Sequence, residues 1–311
     1  MEEINRKIIT IDEAVELIPN GAHLTVSGFA HSLVPMAIIR ELVRKKVGNF
    51  EFSSMGEAWA IDMLCGAGLI DKMRLSNYMF EGYGRCYNFS RVVESGQVEV
   101  EDYSHFGITS RLFAAALGIP FIPIKTMRGT DIFKISNFDK DKFEIINNPF
   151  AEGETTLVPA LSPDIALIHA SRADSQGNVQ IFGSESIIDE QVRASKKVIV
   201  SVEEIVDRKM IKINSKHTLI PGFLVDHIVE VPYGAHPCGM YKYYDFDREH
   251  IAKYWEMSKN ADSFKIYLDE YVYDPEDHWA YLEKIGIKKL LDLRPDPTLG
   301  YSLKNRSDLY G

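Results

Sequence analysis

The chain has 311 residues, 45% of them hydrophobic and 26% charged, with a formal net charge of −10. That length buries a substantial core, in one large α/β domain or two smaller ones. The acidic balance argues against nucleic acid and the membrane surface, because both select clustered Lys and Arg.

The opening MEEINRKIITIDEAVELIPNG has no apolar signal core, and no run approaches ~20 apolar residues, so a soluble cytoplasmic protein is expected. Residues 11 to 18 (IDEAVELI) read as an amphipathic helix with Thr10 as its cap, broken by Pro19-Asn20-Gly21. His23 to Val26 is a short strand that runs into Ser27-Gly28-Phe29. Residues 35 to 46 (PMAIIRELVRKK) form a helix with Pro in its first turn and basic residues at its end. Ser54-Met55-Gly56 ends the next strand, and residues 58 to 67 resemble another helix. The unit recurs as a helix over 110 to 117, closed by Gly118, with a buried strand over 119 to 124 (IPFIPI). Residues 165 to 169 and 197 to 202 (KVIVSV) are further apolar strands.

Short continuous apolar strands separated by helices predict an α/β fold, an open and mostly parallel sheet with helices on both faces. Such sheets bind ligands in loops beyond the carboxyl ends of their strands. From about Asp245 the texture turns aromatic, charged and helical in period. The expected organisation is an α/β domain over 1–245 and a C-terminal helical extension over 246–311, packed on that domain.

Four stretches could carry chemistry. In Ser27-Gly28-Phe29 a hydroxyl and backbone N–H groups could hold an oxyanion or carboxylate, or Gly28 could simply permit a tight turn. The strand before Lys125 and Arg128 delivers two cations into a Gly-Thr-Asp loop. They suit a carboxylate or phosphate, or are solvated loop charges, or Arg128 is bridged to Asp131. NYMFEGYGRCYNF, residues 77 to 89, carries Arg85 and could wall a pocket for a small organic acid or form an interface. His236 lies on a tyrosine-rich loop and reads as structural rather than catalytic. No metal site is expected, because Cys65, Cys86 and Cys238 are widely spaced and no second His, Cys or carboxylate stands near His236 at ligand spacing. Glu101-Asp102-Tyr103-Ser104-His105 are consecutive and on a strand would point to alternating faces, so they are no self-contained triad.

Together these stretches resemble the alpha chains of family I CoA-transferases, the glutaconate type in particular. The resemblance rests on Asn20-Gly21, Leu24-Thr25-Val26, Ser27-Gly28-Phe29 and Pro35, with Thr25, Ser27 and Leu33 departing from the family pattern. It extends through VEDYS, AAALGIPFIPIKTMRGTD, Asn148-Pro149-Phe150, VPYGAHP and YDFD to TLGY at 298 to 301. It implies a CoA-transferase/NagB-like fold and movement of CoA from an acyl-CoA to a free carboxylate, with acyl-CoA as substrate and no permanently bound cofactor. The attacking glutamate would belong to a separate beta subunit. Gly183-Ser184-Glu185-Ser186 is the nearest approach to its motif here and stands in a different context, so no catalytic residue is expected on this chain. A hetero-oligomer of αβ multiples is implied, in which Ser27, Gly28, Phe29, Arg85, His105, Lys125 and Arg128 shape the substrate pocket. The alpha subunit of the steroid-ring-opening CoA-ester hydrolase is also similar, with a functional glutamate in the segment where this chain has His105. Hydrolysis and a non-catalytic scaffold are the alternatives.

Overall fold

A computed structural model describes residues 7–134 and 142–304. Its centre is a parallel sheet in the spatial order His227–Glu230, Lys197–Ile205, Ile165–Ala173, His23–Val26, Phe50–Ser53, Ile70–Leu75 and Glu99–Asp102. From His23–Val26 the chain winds outward in one direction through the next three strands. It then crosses back to Ile165–Ala173 and winds outward in the other. The reversal falls between His23–Val26 and Ile165–Ala173, where Val26 pairs with Leu167, and such a switch point opens a crevice at the strands' carboxyl ends.

The sequence explains the scaffold locally. Thr10 and Glu13 cap the first helix reciprocally, the Thr10 N–H donating to Glu13 Oε2 at 2.7 Å and the Glu13 N–H to Thr10 Oγ1 at 3.2 Å. Helix Met36–Lys45 starts directly after Pro35 and ends at Lys46 in the left-handed region. Every residue of Ile165–Ala173 is buried, as expected for a strand covered on both faces.

Two elements differ from the sequence reading. The IPFIPI segment is not a buried strand of the main sheet. Phe121–Ile124 is the edge of a separate antiparallel sheet with Glu154–Pro159 and Glu144–Asn147, and Phe121 is half exposed. Pro123 has no N–H to donate, which suits an edge and not a sheet interior. The helix placed over 110 to 117 begins earlier, at His105, because the Ser104 hydroxyl accepts the Gly107 N–H at 3.0 Å and caps it. Gly107, in the first turn of this helix, makes room for Met127, whose Sδ would lie 3.0 Å from any Cβ added there.

The helices Arg248–Ser258, Ala261–Leu268, His278–Ile285 and Ile287–Asp292 place Ile251, Tyr254, Phe264, Tyr267, Tyr281 and Leu290 in the same hydrophobic cluster as the central strands. Among the described residues no helix is long and apolar enough to cross a membrane.

Candidate functional site

The first strand continues its ladder through the Ser27 N–H, which donates to the Leu167 carbonyl at 3.0 Å. The Ser27 hydroxyl then turns inward. It donates to the Leu33 carbonyl at 2.6 Å and accepts the His169 N–H at 2.9 Å, and the side chain is wholly buried. The expectation of a ligand-facing hydroxyl is corrected here: the group is committed to pinning the turn, so the turn's offer to a ligand is backbone. Gly28 has φ 135°, and a Cβ on it would lie 2.6 Å from Val34 and 2.9 Å from Glu57 Cγ. Both the dihedral and the space demand glycine.

The turn does not stand alone. Phe29 is 40% exposed, and its ring stands 3.3 Å from where a Cβ on Gly56 would be, with His105 Nε2 3.7 Å from the same point. Gly56 follows the second strand, and His105 opens the helix after the Glu99–Asp102 strand. Loops from three carboxyl ends therefore converge at Phe29, Gly56 and His105.

Beside them runs the segment after the antiparallel edge strand, tied on by the Ser104 hydroxyl donating to Thr126 Oγ1 at 3.1 Å. Phe106, Pro123, Lys125, Thr126 and Asn148 line a cleft of about 380 Å³ there. Lys125 has no ion pair among the described residues, whereas Arg128 pairs with Glu154, and Asp131 with Lys134 at 3.0 Å. Arg128 is thus salt-bridged, but to a different carboxylate from the one adjacent in sequence. Arg85 pairs with Glu94 on the surface, in a hollow shared with Tyr87, Arg91 and Lys259. The fold brings Gly28, Phe29 and His105 together with Ser27 buried behind them, sets Lys125 in the neighbouring cleft, and turns the charges of Arg128 and Arg85 to surface carboxylates.

Glu57 is a residue that the sequence patterns pass over. It is fully buried directly behind the turn. Burial pushes its carboxyl up to about 8, against the lowering effect of the N–H groups of Ala60, Trp59 and Ile61. The signal that could have found it is positional, since Met55-Gly56-Glu57 follows a strand's carboxyl end as Ser27-Gly28-Phe29 does. His236 is buried and hydrogen-bonds to Tyr281 at 2.7 Å and to Asp247 at 3.1 Å, a structural setting.

A doubly wound parallel sheet with loops converging at the carboxyl ends of its strands is an architecture that commonly holds small molecules. The coenzyme A transferase family model matches residues 8–231. An uncharacterized protein of Archaeoglobus fulgidus is 38% identical over 93% of this chain, which spans only 64% of that relative. The A subunit of glutaconate CoA-transferase from Acidaminococcus fermentans is 34% identical, covering 96% of this chain and 97% of its own. The crystal structure of that organism's glutaconate coenzyme A-transferase superposes with a TM-score of 0.91 at 32% identity, over 95% of this chain and 98% of the other. The chain belongs to the coenzyme A transferase family, and it is an enzyme of that class, a CoA-transferase.

Proposed function

We propose that this chain is the alpha subunit of a heteromeric CoA-transferase that moves CoA between an acyl-CoA and a small mono- or dicarboxylic acid of the glutaconate kind. The observation that carries the reading is its likeness, from end to end of both chains, to a protein named as one subunit of a glutaconate CoA-transferase. In the proposed cycle a carboxylate supplied by the beta subunit attacks the thioester carbonyl and releases CoA thiolate, leaving an acyl anhydride. The thiolate then attacks the partner's glutamyl carbonyl, freeing the acid and forming a glutamyl-CoA thioester, and the second acid reverses both steps. This chain supplies the opposing wall. The Gly28 backbone, Phe29 and His105 flank the reacting carbonyl. Lys125, with no carboxylate partner of its own among the described residues, meets the remote carboxylate of a dicarboxylic substrate.

The test is an assay of the chain co-purified with a beta-type chain. Acyl-CoA and free glutaconate or acetate should yield a new thioester, and the chain alone should yield none. Release of free CoA without a new thioester would replace transfer by hydrolysis, and full transfer by the isolated chain would overturn the two-subunit reading.

A further inference from the structure

Glu57 has no role in the cycle above, yet its surroundings are those of a binding group. Its Oε1 accepts the Ala60 N–H at 2.8 Å. Its Oε2 is buried and has no hydrogen-bond partner among the described residues, a condition that native interiors rarely leave unanswered. The carboxyl sits at the start of helix Trp59–Gly66, and its stem presses on the Gly28 backbone, where a Cβ would come within 2.9 Å of Cγ. The residue before it, Gly56, is flanked by Phe29 and His105, so the carboxyl lies immediately behind the rim where the loops converge.

Among the described residues no cation pairs with Glu57, and the groups around it are acidic or neutral. Asp62 lies on its own helix, Tyr78 comes from the loop after the third strand, and Cys86 and Cys238 come from two further segments. His31, which accepts the Trp59 indole N–H at 3.0 Å, is itself held towards neutral by burial. The Tyr78 hydroxyl, also buried, is near Ser54 without closing a hydrogen bond. With the carboxyl pushed up to about 8, it carries its proton at neutral pH. Since Oε1 accepts an N–H, the proton belongs on Oε2. A protonated carboxyl there is a donor without an acceptor, and a charged oxygen is the acceptor that strengthens such a bond most.

We propose that Glu57 is a substrate-binding residue whose Oε2–H donates to the carboxylate of the acceptor acid seated against the Gly28 turn. The proposal rests on the transferase reading, which supplies the carboxylate. Loss of the Glu57 proton at alkaline pH sets two carboxylates against each other and weakens binding of the acid.

The experiment compares wild type, Glu57→Gln and Glu57→Leu, each assembled with the beta-type chain, from pH 6 to 9.5. For wild type the KM for glutarate should rise about tenfold per pH unit above about 8. In Glu57→Gln, which keeps a donor and cannot ionise, it should stay flat and near the neutral wild-type value. Glu57→Leu should raise it at least about tenfold at every pH, with the KM for acyl-CoA moving less than about twofold. Calorimetric titration with glutarate at pH 8.5 in two buffers should detect proton uptake in wild type and none in Glu57→Gln. Equal pH profiles of KM and equal proton uptake in wild type and Glu57→Gln would overturn the proposal and leave Oε2 to an enclosed water. Should Glu57→Leu fail to fold, the Glu57→Gln comparison decides alone. A wild-type pair without transferase activity sinks the functional reading instead, and the glutarate titration then still tests Glu57 by itself.

Discussion

Among the clusters of buried ionisable groups in the described residues, the one around His236 and the one around Glu57 are built oppositely. Around His236 the polar atoms answer one another. Arg40 donates to the His236 carbonyl at 2.7 Å and stacks on the Tyr281 ring at 3.7 Å, His250 meets the Tyr267 hydroxyl at 2.8 Å, and His278 meets the Pro232 carbonyl at 2.8 Å. None of that cluster's atoms is among the buried polar atoms lacking a partner, whereas Glu57 Oε2 and Tyr78 OH are. The first cluster fastens the C-terminal helices to the sheet. The second waits for an acceptor. A site is marked by unsatisfied chemistry rather than by its density of titratable residues.

Gly28→Ala should break the contrast hardest, because it strikes the backbone that both the turn and Glu57 lean on. A Cβ at φ 135° meeting Val34 at 2.6 Å combines backbone strain with overpacking, at about 3 kcal/mol. Turnover of the assembled pair should fall about a hundredfold or more; unchanged turnover would remove the turn from the site. His236→Ala strips a partner from Asp247 and Tyr281 and should cost about 3 kcal/mol in denaturant unfolding. Its KM values should not move, since the cluster is structural.

Glu57→Gln should act in the opposite direction on stability. A carboxyl at about 8 in the folded chain and 4.5 otherwise binds more protons folded than unfolded between those values. Wild-type stability therefore falls as pH rises through that window and levels off above it. The Gln variant escapes the loss, so its melting-temperature advantage should grow from pH 5 to 8; a constant difference would mean that Glu57 is ionised throughout. The smallest effects belong to Lys125 in the cleft and Arg128 outside it. Lys125→Ala should raise KM about tenfold for dicarboxylates and less for monocarboxylates. Arg128→Ala, whose guanidinium is shared with Glu154, should have the weaker effect of an exposed pair. Equal losses for both acids would take the remote carboxylate away from Lys125.

Much of the scaffold is legible in the sequence because local rules and tertiary context agree. The apolar His23–Val26 run ends at Ser27-Gly28-Phe29, and Pro35 stands where the helix beyond it begins. Disagreement marks the misses. IPFIPI is apolar enough for a core strand, yet its prolines suit an edge, and composition alone cannot weigh the two. Ser27 reads as a ligand group in sequence since a hydroxyl in a turn is ambiguous until its partners, Leu33 and His169, are known. These lie 6 and 142 residues away.

The periodicity of apolar residues determined the class of fold, because burial on both faces of a parallel strand dictates its composition wherever the strand lies. The glycine at 28 also announced a tight turn, since few other residues tolerate such a dihedral. Only the folded chain decided that Glu57 pairs with no cation among the described residues, that Arg128 and Arg85 are already paired, and that Phe29, Gly56 and His105 meet. Charge, desolvation and hydrogen-bond satisfaction depend on neighbours brought together from distant parts of the chain, and those distances are written in no local stretch of sequence.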